Sequence, residues 1–572
     1  MAAGRPTPLV ALIVAVAVAV AACAGAPTPG ASPTPVPATA TASAPASPSP
    51  GAAPDCPAAL ASPVPALGHA GWWADRVFYE VFVRSFADSN GDGTGDLRGL
   101  ISRLDQLNDG DPATTADLGV TGLWLMPIMP SPSYHGYDVT DYRSVNADYG
   151  SLSDLRTLVD EAHRRGIAVI VDMPLNHTSR QHPWFVDSRK PGSAHADWYV
   201  WSDAPRGSNW FADGGRYYYA NFGPDLPDLN YRDPAVTAEA EAIAHFWLSD
   251  VGIDGFRIDA AKHLIEIGPA TQNTAETHAW LGAFRRDLAT TDPGALLVGE
   301  VWDTSATSAS YVPTDLDMTF DFGLSGAYVA AANGGQAWGL AAILKKVVSL
   351  YPSGSQGTFL TNHDMERLAT QVAGDPARMR LAADLLLTGP GVPFIYYGEE
   401  IGMSGAKPDE RIRTPMRWDP SSPAGGFTSG TPWEALSADP AGVDVASETG
   451  DPASLLSRYR ALIALRQAHP ALGRGETIVA ESSAGAVLAT IRRTAEETLL
   501  VLANLGTLPV SAETVTLAAG PLCGTPHATL ILGAPGLADP SAPVVTPSGG
   551  LAPYVPVATL AAQSVTVIAL RP

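Results

Sequence analysis

Positive charge is scarce in this chain. Its 572 residues carry 35 Lys and Arg against 58 Asp and Glu, a formal net charge of −23. Nucleic acid and anionic lipid gain from a basic surface and not from an acidic one, so the composition argues against both as partners. It suits a soluble extracellular protein acting on something neutral. Cysteine is scarcer still: Cys23, Cys56 and Cys523 are all there is. With Cys23 set aside for the reason below, an even pair is left. An oxidising compartment can join that pair and clamp the chain start to its C-terminal region. The apolar run that opens the chain, Leu9 to Ala22, is too short to span a membrane comfortably as a mature helix.

That run follows Arg5 and has the length of a signal-peptide core. It ends VAAC (Val20 to Cys23), which resembles the lipobox of bacterial lipoproteins, with Cys23 as the lipidated residue. Plain secretion with cleavage after a small residue such as Ala24 is the alternative. From Ala24 to about Pro65 the chain is almost all Ala, Pro, Ser, Thr and Gly. Such a segment buries too little apolar surface to offset its ordering entropy and reads as a tether.

Beyond the tether the length predicts two or three folded units. From Trp72 to about His469, strand-like apolar runs alternate with amphipathic helical stretches. VFYEVFV (77–83), GLWLMPI (122–128), IAVIVDM (167–173), GFRID (255–259), LLVGE (296–300), DMTFDF (317–322), TFLTN (358–362) and PFIYYG (393–398) form the strand series. Between two of them, Leu155, Leu158, Val159 and Ala162 recur at helical spacing, with Ser153 as expected N-cap and Gly166 as stop. About eight strand–helix units predict an α/β chain closed as a (β/α)8 TIM barrel, with a doubly wound open sheet as the alternative. The interval after the third strand is too long for a simple crossover. Its Trp, Tyr and Gly content reads as an inserted subdomain over the barrel end. After Gly475 the pattern changes to alternating segments of a C-terminal antiparallel β domain. The expected organisation is a signal peptide (1–22), a lipid-anchored linker (23–65), the barrel (66–173 and 231–474), the insertion (174–230) and the β domain (475–572).

Ionisable residues gather where the barrel strands finish, the face on which this architecture builds its sites. Asp172, Asn176 and His177 close the third strand, and Arg257, Asp259, Lys262 and His263 the fourth. Glu300 closes the fifth, and Asn362, His363 and Asp364 the seventh. Singly, each reads as a helix cap or a local hydrogen bond; four such ends on one face point to a site. Two carboxylates on neighbouring strands are what retaining glycoside hydrolysis needs, one ionised to attack and one protonated to release the leaving oxygen. Arg257, two residues before Asp259 and so on the same face, is expected to lower its pKa.

These strings resemble the conserved regions of glycoside hydrolase family 13, the α-amylase family. DMPLNH, GIDGFRIDAAKH, GEVWD and FLTNHD are similar to its four regions. GVTGLWLMPIMPSPSYHGYDVTDY, LPDLN and GVPFIYYGEE match further landmarks, and the likeness runs from about Ala74 to Pro470. The resemblance implies Asp259 as nucleophile, Glu300 as acid/base and Asp364 as transition-state stabiliser. It places His177, Arg257 and His363 around the sugar beside the scissile bond, with Tyr137 stacked under it and Asp138 nearby. Lys262 and His263 resemble the leaving-group pair of α-amylases. RTPMRW (413–418) instead resembles the oligo-1,6-glucosidase and neopullulanase neighbourhood. The mixture implies a secreted, endo-acting enzyme on starch, glycogen or maltooligosaccharides. Oligo-1,6-glucosidase or α-glucosidase action and trehalose synthase chemistry are the alternatives. A non-catalytic carbohydrate-binding lipoprotein is the alternative of another class, and the presence of all three acids speaks against it. A monomer is expected.

DSNGDGTGD (88–96) copies the first half of a calcium loop in its D-x-N-x-D-G spacing. Asp88, Asn90, Asp92, the Thr94 carbonyl and Asp96 are the expected ligands of a structural Ca²⁺. Where a helix–loop–helix site has its twelfth-position Glu, this chain has Gly99. The plain reading is a solvated Asp/Gly turn. The resemblance also implies a second calcium near Asn176.

Overall fold

The computed structural model describes residues 64–422 and 424–571. The expected signal peptide, Cys23, Cys56 and nearly all of the linker lie outside the described residues. Cys523 is disulfide-bonded.

The barrel closes from eight parallel strands in chain order. They are β1 (Phe78–Val81), β2 (Gly122–Leu125), β3 (Ala168–Met173), β4 (Gly255–Ile258), β5 (Leu296–Gly299), β6 (Met318–Phe320), β7 (Gln356–Phe359) and β8 (Val392–Tyr396). β8 returns to β1 through Phe78 opposite Phe394. Each expected strand is present; most are shorter at one or both ends, while β7 and β8 begin earlier than expected, at Gln356 and Val392.

Side-chain alternation sorts every strand into two faces. Phe78, Trp124, Ile170, Val298, Phe320, Phe359 and Phe394 fill the barrel interior as one cluster. Tyr79, Val81, Leu123, Leu125, Val169, Val171, Phe256 and Ile258 face the surrounding helices. The same parity turns Glu80, Asp172 and Arg257 inward, one layer above the aromatic plug. In register, Asp172 lies opposite Arg257.

The helix before β3 spans Leu152–Arg164 and buries Leu155, Leu158, Val159 and Ala162. Its N-cap is Ser151 and not Ser153. The Ser151 hydroxyl accepts from the Asp154 amide while the Asp154 side chain accepts from the Ser151 amide, a reciprocal box that Ser153 has no partner to build. Gly166 takes the left-handed turn just beyond, at φ +75°.

The insertion carries a three-stranded antiparallel sheet of Trp201–Ser202, Arg216–Tyr219 and Trp210–Asp213. Phe185 stacks on Trp201 and meets Tyr218 edge-on beneath it. At the C-terminus a seven-stranded antiparallel sheet runs between the edge strands His527–Leu532 and Leu551–Tyr554. Its central strands again split by parity. Leu499, Val501, Val565 and Val567 join the barrel's outer core, and Leu500, Leu502, Ile568 and Leu570 build the sheet's own.

Candidate active site

Arg257 organises the barrel mouth. Its guanidinium is 1% exposed. Nη1 lies 2.9 Å from Asp172 Oδ1 and 2.6 Å from Asp259 Oδ1, and Nη2 lies 3.0 Å from Glu300 Oε2. Its plane sits over the rings of Trp124 and Tyr137. One planar cation therefore fixes three carboxyls from three adjacent strands, a task for the forked geometry of Arg and not for Lys.

A second set comes from the opposite wall. His363 is fully buried; its Nδ1 lies 2.6 Å from Glu80, and its Nε2 lies 2.6 Å from the Tyr137 hydroxyl and 3.1 Å from Asp364. Arg413 donates to Asp364 at 2.9 Å and to the His363 carbonyl at 2.8 Å. Tyr137 donates to Asp172 at 3.0 Å, closing the ring of contacts between the two sets. With carboxylates at both nitrogens, the imidazole is held as the cation. Burial opposes its charge, but Asp364 and Glu80 outweigh it and raise its pKa to about 9.

Five carboxyls thus face three cations, and protons must neutralise part of the remainder. Burial raises Asp172 to about 7 in spite of Arg257. Burial also raises Glu300, Arg257 pulls it down, and the charges of Asp259 and Asp364 push it further up. Asp364 goes the other way: burial opposes ionisation, yet His363 and Arg413 hold it well below the ordinary carboxylate range. The expected lowering of Asp259 needs correction. Arg257 acts on it as foreseen, but burial outweighs the guanidinium and the net shift is upward. Asp259 has a 2.6 Å bond to Arg257 Nη1, and Glu300 lies 3.0 Å from Nη2 beside the charges of Asp259 and Asp364, so burial raises both carboxyls against the same guanidinium.

Ala260 adds a backbone device. It adopts φ +47°, rare for a residue with a Cβ, and its N–H donates to Glu300 Oε2 at 2.9 Å.

Of the expected sugar contacts, Tyr137, Arg257 and His363 join the acids directly. His177 is 2% exposed; its Nε2 has no partner, and burial and nearby His135 lower its pKa to about 4, which leaves the imidazole neutral. Asp138 is turned to the hydroxyls of Ser131 and Ser133 and stays outside the Arg257 network. Lys262 and His263 form the turn after Asp259. Lys262 Nζ reaches the Trp302 carbonyl at 2.6 Å, and His263 Nδ1 the Thr271 carbonyl at 2.9 Å. Trp302, 47% exposed, and Phe222, 45% exposed, stand beside them as an aromatic rim. Glu80, Arg413 and Ala260 were not among the expected residues. The signal for Glu80 was available as a lone acid at an inward position of an otherwise apolar strand.

Two places bear on a metal. In the first loop, Asp88, Asn90 and Asp92 each accept the amide two residues on, at 2.8–2.9 Å. Asp88 also accepts from Gly93 N–H and the Thr428 hydroxyl. Burial works against ionisation of Asp88, but these donors hold its carboxyl below its usual value. Gly93, at φ +96°, lies so close to the Thr431 carbonyl that a Cβ would fall 1.9 Å from it. Asp96 is committed elsewhere, accepting from Ser89 and capping the helix Leu97–Ser102 through the Gly99 amide. The acids of this turn are thus answered by amides and hydroxyls of the protein itself. The second place lies beside the catalytic strands, where Asn176 Oδ1, Asp228 Oδ2 and Glu266 Oε1 are buried without a partner. Asn176 and Asp228 are brought together by the pairing of His177 with Asp228 and of Leu229 N–H with the Asn176 carbonyl. Burial and the neighbouring Glu266 push the Asp228 carboxyl well up. An amide oxygen and two crowded carboxyls, each with one buried oxygen unpartnered, fit a hard cation. Among the described residues no three His, Cys, Asp or Glu side chains group as a ready cage.

The model of the alpha amylase catalytic domain matches residues 80–475. Alpha-amylase 3 of Dictyoglomus thermophilum is 38% identical over 444 residues, covering 76% of this chain and 85% of its own. A trehalose synthase/amylase of Mycobacterium tuberculosis is 34% identical over 510 residues, covering 77% and 83%. The crystal structure of an alpha-amylase from H. orenii superposes with a TM-score of 0.74 at 39% identity, covering 87% of this chain and all of that one.

Proposed function

The chain belongs to the α-amylase family of glycoside hydrolases, and from that premise we propose that it cuts internal α-1,4-glucosidic bonds of starch, glycogen and maltooligosaccharides with retention. The observation that carries the reading is Asp259 and Glu300 on neighbouring strand ends, held by one guanidinium. Asp259 attacks the anomeric carbon as Glu300 gives its proton to the departing glycosidic oxygen, leaving a glycosyl ester on Asp259. Glu300, now ionised, takes a proton from water, and the hydroxyl displaces the ester. Asp364, kept anionic by His363 and Arg413, faces the positive charge that develops on the sugar ring. Arg257 keeps Asp259 oriented throughout.

NMR of the first-formed product from maltotetraose tests this. The α-anomer is expected at early time, and an early β-anomer overturns it. Asp259→Asn and Glu300→Gln should each lower kcat by at least about 10²–10⁴-fold, the range for losing a positioned acid or base. The trehalose synthase alternative is favoured by the M. tuberculosis relative named above. Incubation with maltose separates the two, since trehalose accumulation at the rate of hydrolysis would favour the alternative.

Calcium in a structural role belongs to this reading. The orphan oxygens of Asn176, Asp228 and Glu266 would hold one ion, and the Asp88–Asp96 loop, through Asp88, Asn90, Asp92 and Thr94, a second. Either ion would pin loops to the barrel. We also propose a monomer displayed on the cell surface through lipid on Cys23, which palmitate labelling abolished by Cys23→Ala would support.

A further inference from the structure

Arg466 and Arg492 are buried without an acid to meet them. They are 2% and 1% exposed, and neither has a carboxylate within 4 Å among the described residues. Carbonyls answer them instead. Arg466 reaches those of Leu387, Gly389, Gly391 and Gly473, and Arg492 those of Thr388, Leu472 and Gly475. Carbonyl dipoles satisfy N–H groups but bring no net charge, so two like charges stay in the interior uncompensated. Burial pulls the Arg466 guanidinium down to about 10, and burial together with Arg466 pulls Arg492 down to about 9. A local surplus of positive charge stands out in a chain whose net charge is −23.

Beside them lies a cavity of about 520 Å³, at the end of the barrel opposite the strand-end acids. Pro352, Gly354, Pro390 and Gly391 bound it where the chain enters β7 and β8. Gly475 and Thr477 bound it where the chain leads into the C-terminal sheet, and Arg474 and Arg492 line it as well. The Nε of each of these two arginines is buried without a partner. The Arg474 side chain makes no hydrogen bond or ion pair at all among the described residues. The Thr477 hydroxyl, on a residue 8% exposed, is also unpartnered. Glu476 is the one acid in the lining, and it lies 4.0 Å from Arg493.

We propose that this cavity is a binding site for an oxyanion, held by Arg474, Arg492 and Thr477. A guanidinium fork presents paired N–H groups that match the paired oxygens of a sulfate, phosphate or carboxylate. The Thr477 hydroxyl adds a neutral donor. The bound charge would offset the two guanidiniums that the fold leaves without an acid, and would fasten the barrel's entry loops to the C-terminal sheet. The cavity exceeds a bare ion, so a free oxyanion and the head of a small organic molecule, its body against Ala74 and Val347, both fit. The site stands apart from the sugar chemistry and does not depend on which glycosidic bond is cut.

Calorimetric titration of the full-length protein with sodium sulfate, at an ionic strength held constant with sodium chloride, should show one site per chain. Arg474→Gln should weaken binding about tenfold or more and Thr477→Val about threefold, the scale of one charged and one neutral donor. Arg474→Gln removes no contact of the folded chain, so it should melt with wild type in sulfate-free buffer. Should it melt lower, Thr477→Val decides in the same way. Phenyl sulfate separates the two sources: tighter binding than sulfate marks an organic anion, and equal or weaker binding a free ion. A wild type that binds neither compound overturns the proposal. So does a sulfate affinity that a normally melting Arg474→Gln retains in full.

Discussion

At the mouth of the barrel, Asp172 and Asp259 are buried, and Glu300 and Asp364 half-buried, among Arg257, Arg413 and His363. In the first loop, Asp88, Asp92 and Asp96 lie closer together in sequence but form no ion pair within 4 Å among the described residues; backbone amides and hydroxyls answer them instead. The density of acids along the chain therefore says little about what the acids do. Burial without enough counter-charge leaves protons free to move, which suits acid/base work. Amide-satisfied acids at a surface turn are structural, and a metal would add to a loop already fastened by Asp88 N–H to Phe427 O and Trp433 N–H to Gly93 O.

The sharpest way to break the contrast is to remove a charge from the buried set without touching its shape. Glu80→Gln keeps a hydrogen-bonding group beside His363 but deletes the carboxylate. Removing one partner of a buried pair costs roughly 3–5 kcal/mol, and at pH 6 a loss near the lower end is expected from denaturant unfolding. The sign with pH follows from His363. Its folded pKa of about 9 exceeds the unfolded value near 6.5, so the stabilisation is complete below about 6.5 and lost as pH rises through 9. The gap between wild type and variant should therefore shrink steadily from pH 6.5 to 9. A gap that widens over that window would mean His363 is neutral in the native state.

Those residues also mark how far the sequence could be read. The eight strands and the inward set at their ends were legible because period-two alternation and strand-end chemistry are local signals. Glu80 was signalled only as a lone acid inside VFYEVFV, which looks like a tolerated exception until the closed barrel brings its carboxyl 2.6 Å from His363 Nδ1. Ser153 and Ser151 both precede the apolar stripe, and only the reciprocal bond with Asp154 singles out Ser151 as the cap. The net rise of Asp259 was hidden for a deeper reason: Arg257 is visible in the string, but the burial that outweighs it is a property of the closed barrel. Asn176, Asp228 and Glu266 come from three separate stretches, and no spacing rule joins them.

A chelator sharpens the comparison next. If an ion sits on the orphan oxygens, mass action at a hundredfold excess over Kd stabilises the fold by about 2.7 kcal/mol, and removing it should lower the melting temperature by several degrees. Asp228→Asn should remove most of that response, and Asp92→Ala only a minor part. The reverse ranking would move the main ion to the first loop, and a wild type insensitive to chelator, with no bound metal by elemental analysis, would leave both places as protein-only structures.

The smallest effect concerns Asp96, the one loop acid whose two possible roles make opposite demands. As a helix cap it needs only an oxygen at the Gly99 amide, which Ser supplies; as a calcium ligand it needs the charge, which Ser lacks. Replacing a capping Asp by Ala costs about 1 kcal/mol, and a Ser at the same position recovers most of it. With both carboxylate oxygens already engaged by Ser89 and Gly99, the cap is the expected role. Asp96→Ser should therefore melt close to wild type, and Asp96→Ala several tenths to one kcal/mol lower, with the same interval between them in chelator. If Asp96→Ser instead falls to the level of Asp96→Ala in calcium, and the wild type joins both once calcium is withdrawn, the charge is what matters and the loop is a metal site. In that case the surface acids and the buried ones would share one principle after all, each cluster held by a cation placed in its midst.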